Sequence, residues 1–271
     1  MSDSFINDSF GPTIEGNEII YNQLMNGYGR GFAGLTPVVK NIILINVLMF
    51  FVYWAGTKFF NLDLNAILGL YFPKSGNFKP IQFLSHMFMH ANFWHIFFNM
   101  YALFIFGVML ENVWGPKRFL IFYLVCGFGA ALVHESVIAY EYSKIAHTLT
   151  PENLQLVLKE GSAYWREGKA FTDPSMKDLQ FLLNIPTVGA SGAIFGVLLA
   201  FGMLFPNTQL MIIFPPIPIK AKYFVLIYGG LELILAITQP GSSIAHAAHI
   251  GGMLFGFILI KYWQKTTTTL Y

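Results

Sequence analysis

The 271-residue chain carries 16 Lys+Arg against 14 Asp+Glu, so only 11% of its residues are charged, where a soluble domain carries roughly 25%. Hydrophobic residues make up 55%, aromatics 17%, and Phe alone 28 residues, with a mean hydropathy of +0.55. So few charges are all but incompatible with a soluble globular enzyme; a net charge of +2 without a basic run excludes a nucleic-acid binder or a disordered chain, and the single Cys126 excludes a disulfide framework or a Cys-based zinc site.

In chain order, residues 1–40 open polar and acidic, with no basic and apolar leader, and predict a soluble tail. Gly27, Gly29, Gly31 and Gly34 lack the strand–turn–helix setting of a phosphate loop and suit a flexible linker. Six apolar segments follow: 42–59, about 93–110, 119–140, 188–205, the short 223–237, and about 247–262. A spanning helix needs about 20 apolar residues, and lipid forbids open sheet edges. The runs are continuous and not alternating, so the fold class is all-α: a polytopic membrane protein with six transmembrane helices.

Six spans put both termini on one side. Basic residues divide evenly between the two sides, but five of one set (Lys144, Lys159, Arg166, Lys169, Lys177) lie in one long loop, where they count for less. Discounting them puts the termini in the cytoplasm, in a multi-pass protein of the plasma (inner) membrane. The domain organisation is then a tail over 1–40, a membrane domain over 41–262 and a C-terminal tail over 263–271.

Two stretches between spans stand out. Residues 60–92 are too apolar for free solution and should lie on or partly in the bilayer. Residues 141–186 hold 11 of the 30 charges and form an extracytoplasmic insert. Thr150-Pro151-Glu152 and Asp173-Pro174 each put a capping side chain before a proline, predicting helices over about 151–160 and 174–184, with Gly161 ending the first.

Polar residues inside the spans are functional candidates. Gly189-Ala190-Ser191-Gly192 opens the fourth span, where Ser191 reads either as a small packing residue or as a nucleophile needing a base within about 3 Å. Gly192, Gly196 and Ala200 form one small-residue face, and Gly252 and Gly256 another, on the helix that carries His249; such faces let helices approach closely. His249 is then either that base or a core histidine. His95 and Asn99, one turn apart, offer donors toward a developing oxyanion or toward another helix. His86 and His90 have metal-ligand spacing, but no H-E-x-x-H motif and no Asp in any span accompanies them, so no metal or other cofactor is expected. Glu111, near Lys117 and Arg118, suits an ion pair or a cap; Glu135 and Glu232 suit interfacial positions, or a proton path in a transporter.

Taken together, His95-Ile-Phe-Phe-Asn99, Gly189-Ala-Ser191-Gly192 and His249-Ile-Gly-Gly252, in that order on separate spans, resemble the rhomboid family of intramembrane serine proteases. The resemblance covers about residues 41–262. It implies a Ser191 nucleophile and a His249 base without a third acid, and an oxyanion hole of His95, Asn99 and the Ser191 N–H. Gly189, Gly192, Gly252 and Phe195, an aromatic packed on the histidine, would support it. His246 lies outside the carried-over positions. Loop 60–92 resembles the family's embedded first loop and Glu111 its structural acid, but Pro80-Ile81-Gln82 occupies the region of the family's Trp-Arg pair. The implied function is a serine endopeptidase cleaving transmembrane substrates near the bilayer surface, with the lipid bilayer and transmembrane proteins as partners and no nucleic acid. The alternatives are a proton-coupled transporter or channel, and an inactive rhomboid-like binder of membrane helices.

Overall fold

The computed structural model describes residues 34–211, 217–238 and 245–266. Most of the expected N-terminal tail, and residues 267–271, lie outside them. Helix α1 (Pro37–Phe60) starts earlier than the apolar run at Ile42, because Pro37 sits in the first helical turn after Thr36; it stops at Asn61, whose φ of 51° is left-handed. The Glu111 carboxylate receives the Val38 and Val39 N–H groups at 2.9 and 2.8 Å and the Thr36 hydroxyl at 2.5 Å. Glu111 is therefore a cap on a different helix, placed where a helix N-terminus favours negative charge.

The first loop holds α2 (Leu64–Leu68), capped by Asp63, then α3 (Gln82–Ser85) and a 3-10 turn over His86–Phe88. Gln82 is fully buried and ties the loop together: it accepts from the Lys79 N–H at 2.9 Å and donates to the Ile67 and Asn77 carbonyls at 3.1 and 3.0 Å. Leu70, Tyr71, Met87 and Met89 are buried, while Ile67, Ile81 and Leu84 are exposed. One side of the loop packs on the bundle, and its other side is apolar, suited to a lipid interface.

Helix α4 (Phe93–Ala102) passes through a π-helical turn, Leu103–Gly107, into α5 (Val108–Ala146). The two segments expected as separate spans are one helical path broken at Gly115, with φ 77° and ψ 165°, before Pro116. Glycine tolerates that backbone shape, and proline supplies no N–H to continue the ladder. Helix α5 continues past Tyr140 into the charged insert because Tyr142 joins the insert's own core.

In the insert, Thr150 and Asp173 cap α6 (Pro151–Arg166) and α7 (Pro174–Asn184), accepting from the Asn153 and Met176 N–H groups. Gly161 does not end α6. It is buried mid-helix, and Gln180 of α7 donates to its carbonyl at 3.0 Å. Val157, Met176, Leu179 and Leu183 form a small core with Tyr142, covered by Phe72 from the first loop.

Residues 185–190 are not helical, and Thr187 pairs with Leu70, so α8 (Ser191–Leu204) begins at the serine. A short antiparallel ribbon, β1 (Gln209–Met211) with β2 (Pro218–Lys220), leads to α9 (Ala221–Thr238) and α10 (His246–Thr266). Helix α1, the path 93–146 and α9 are long and apolar enough to cross a membrane; α8 is a shorter apolar helix. Leu44, Leu48 and Phe51 of α1 and Leu226, Ile234 and Ile237 of α9 face outward, the reverse of a soluble protein and the pattern of a lipid-facing surface. Helix α10 packs against both α5 and α8. The molecule is an all-α membrane bundle.

Candidate active site

Close helix contact builds the site. A β-carbon on Gly252 of α10 would fall on the Gly192 carbonyl of α8, and one on Gly196 would stand 2.9 Å from the Gly252 carbonyl. The two backbones touch where side chains are missing. This contact brings Ser191, the first residue of α8, against His249 in the first turn of α10: Ser191 Oγ lies 2.8 Å from His249 Nε2. Phe195, one turn along α8, stacks on the His249 ring at 4.1 Å between centroids and 8° between planes.

His95 arrives from α4. Asn92 caps that helix by accepting the His95 N–H at 2.9 Å, which holds His95 in the first turn. Gly189 has φ 134°, a shape that favours glycine. A β-carbon there would stand 2.8 Å from His95 Nε2 and 3.6 Å from Ser191 Oγ, so this glycine marks the point that both side chains approach. Asn99 is buried one turn further along α4. The opposite face of α4 carries exposed Phe93, Trp94, Phe97, Phe98 and Tyr101, an aromatic surface suited to the membrane boundary.

Sequence reasoning left one member out. Glu232 of α9, expected at an interface, is buried, and its Oε2 lies 2.9 Å from His249 Nδ1 and 2.6 Å from His246 Nδ1. The imidazole expected to stand without an acid has one. Glu232 is a lone acid in a short span, 17 residues from His249, and only the paired histidines at the start of the next helix hinted at a partner. Ligand-capable atoms of Glu232, His246 and His249 lie within 4.8 Å of one another and could also hold a cation. The His86–His90 pair joins no such group among the described residues. His86 Nδ1 instead lies 2.8 Å from the Gln82 carbonyl, and His134 Nε2 lies 2.7 Å from the Thr187 hydroxyl. Burial pushes the His86 imidazole down to about 4, and burial together with the neighbouring His95 pushes His90 to about 3, which favours the neutral form of both.

A helical membrane bundle with a serine and an imidazole in contact at one helix crossing defines the class, and comparison with known proteins supplies the family. The rhomboid domain model matches residues 77–265. The chain is 27% identical over 187 residues to Rhomboid protein 1, mitochondrial, of Saccharomyces cerevisiae (69% of this chain, 43% of that protein). It is 27% identical over 180 residues to Rhomboid protease AarA of Providencia stuartii (64% and 52%), and over 266 residues to the human Presenilin-associated rhomboid-like protein, mitochondrial (95% and 56%). The chain spans about half the length of these curated relatives. It belongs to the rhomboid family.

Proposed function

We propose that the protein is an intramembrane serine endopeptidase that cleaves transmembrane substrates near the bilayer surface. The observation that carries this reading is the 2.8 Å contact between Ser191 Oγ and His249 Nε2, under a ring held flat by Phe195. A serine hydroxyl is a weak nucleophile until a base within hydrogen-bond reach takes its proton. In this mechanism Ser191 attacks the scissile carbonyl while His249 Nε2 accepts the hydroxyl proton. The tetrahedral oxyanion is held by the Ser191 N–H, one of the donors a helix leaves unpaired in its first turn, and by His95 and Asn99. His249 then protonates the leaving amine, and water hydrolyses the acyl-enzyme.

The partners in this reading are transmembrane protein substrates and the surrounding bilayer. Its membrane is the plasma (inner) membrane with cytoplasmic termini; two relatives carry mitochondrial names, and the orientation argument is the same in either membrane. The charged hairpin of α6 and α7, which leads through Thr187 to Ser191, is proposed to influence substrate access. The test is cleavage of a transmembrane reporter in liposomes. Wild type cleaves, while Ser191→Ala and His249→Ala lose at least about 1,000-fold with the fold retained. Undiminished cleavage by Ser191→Ala would remove the reading, and binding without cleavage by wild type would make the protein an inactive helix binder.

A further inference from the structure

Helix α9 is embedded shallowly, like α1: among its described residues only Ala221, Val225 and Glu232 are buried. Two of these are small apolar side chains, and the third is a carboxylate. Burying an ionised carboxylate is costly unless donors surround it, and here two do. One oxygen, Glu232 Oε2, meets both His246 Nδ1 at 2.6 Å and His249 Nδ1 at 2.9 Å. An ionised carboxylate only accepts, so both contacts require protonated Nδ1 atoms. For a neutral His249, the proton on Nδ1 leaves the lone pair on Nε2, the atom 2.8 Å from Ser191 Oγ.

We propose that Glu232 is a positioning residue for His249, completing a Ser191–His249–Glu232 triad, and that His246 braces the carboxylate. The inference rests on the hydrolase reading above. As the Ser191 Oγ–carbon bond forms, the hydroxyl proton moves to His249 Nε2. The Nδ1 proton stays on His249, held by Glu232, and the imidazolium faces a fixed negative charge in a poorly solvated site. When the carbon–nitrogen bond breaks, the Nε2 proton leaves with the amine. Glu232 is never protonated, and the charge is the same before and after. Phe195 fixes the plane of the ring, and Glu232 fixes its rotation and its tautomer.

The bland account is that Glu232 only docks α9 onto α10. The two accounts separate on the full-length protein in nanodiscs. Glu232→Gln keeps the shape and removes the charge; Glu232→Leu removes the acceptor. With the transmembrane reporter, Glu232→Gln should lower kcat about 100-fold or more, with KM within about twofold and thermal stability near wild type, by analogy with the loss on neutralising a triad carboxylate. Nitrogen-15 histidine spectra should show His249 protonated on Nδ1 in wild type and shifted toward the Nε2-protonated form in Glu232→Leu. Wild-type kcat in Glu232→Gln, or an Nε2-protonated His249 in the wild-type protein, would overturn the proposal. If wild type cleaves nothing, the hydrolase reading fails, and the spectra still decide whether Glu232 sets the tautomer. If Glu232→Leu does not fold, the wild-type spectrum and the Gln variant carry the test.

Discussion

The α8–α10 crossing and the α6–α7 hairpin join helices by opposite means. At the crossing, side chains are absent: Gly192 and Gly196 meet Gly252 and Gly256 backbone to backbone, and polar side chains appear only where the site stands. In the hairpin, side chains make the join. Gln180 is fully buried, donates to the Gly161 and Lys169 carbonyls at 3.0 and 3.1 Å, and accepts from the Phe171 N–H at 3.2 Å. Asn184 accepts from Ser162 at 2.9 Å and from Asn77 at 3.3 Å. Water drives apolar faces together in the hairpin, whereas lipid offers no such drive and leaves close packing and hydrogen bonds to do it. The α8–α10 crossing therefore tolerates little added volume, and the hairpin depends on its buried amides.

The sharpest way to break the comparison is Gly252→Val. The new side chain meets the Gly192 backbone, which cannot move aside as a flexible side chain would. The cost should exceed the usual overpacking range of about 1–3 kcal/mol, and size-exclusion chromatography in detergent should show no folded monomer. Next in size is Asn99→Ala, which tests chemistry inside an intact bundle. It should reduce turnover by about 100- to 1,000-fold while leaving the melting temperature close to wild type; full activity would remove Asn99 from the oxyanion role.

Gln180→Leu addresses the other region. It leaves the part-buried Phe171 N–H without its acceptor and removes the donor to the Gly161 and Lys169 carbonyls, where a buried group left unsatisfied costs about 1–3 kcal/mol. Proteolysis should then open residues 147–186 at lower temperature than in wild type, while cleavage of a short reporter stays within about twofold. An equal loss of stability in the bundle would show that the two regions fold as one unit.

The smallest effect concerns the first loop. The folded pKa of His86 lies near 4, below its ordinary 6.5, because burial disfavours the charged ring. Between these values the unfolded chain binds more protons, so the stability His86 contributes is complete above pH 6.5 and is lost as pH falls toward 4. From pH 7 to pH 5 this amounts to about 2 kcal/mol, read as a falling melting temperature. Substitution of His86 by glutamine should reduce the dependence by that share, leaving the share of His90.

Local signals made much of this legible in advance. Among the described residues, continuous apolar runs located α1, the path 93–146, α8, α9 and α10, and Thr150-Pro151 and Asp173-Pro174 located both hairpin helices, because a cap and its proline act within one turn. Ser191, His249 and His95 stand out as polar residues inside apolar spans, the family resemblance adds Gly189, and the structure brings the four to one place. What sequence could not resolve was action at a distance or residues with two uses. Glu111 caps a helix more than 70 residues away. Gly161 carries the same letter whether it stops a helix or lies inside one. Gly115 and Pro116 bend a continuous path that reads as two spans. Glu232 resembles any interfacial acid until α9 folds beside α10, and only then does its oxygen reach both histidines.

The central claim is that Ser191 is made nucleophilic by His249. It is tested most directly by treating the solubilised protein with a fluorophosphonate and locating the adduct by mass spectrometry. The account predicts a single adduct on Ser191, absent from Ser191→Ala and strongly reduced in His249→Ala. An adduct on another residue, or equal labelling of Ser191→Ala, would contradict it.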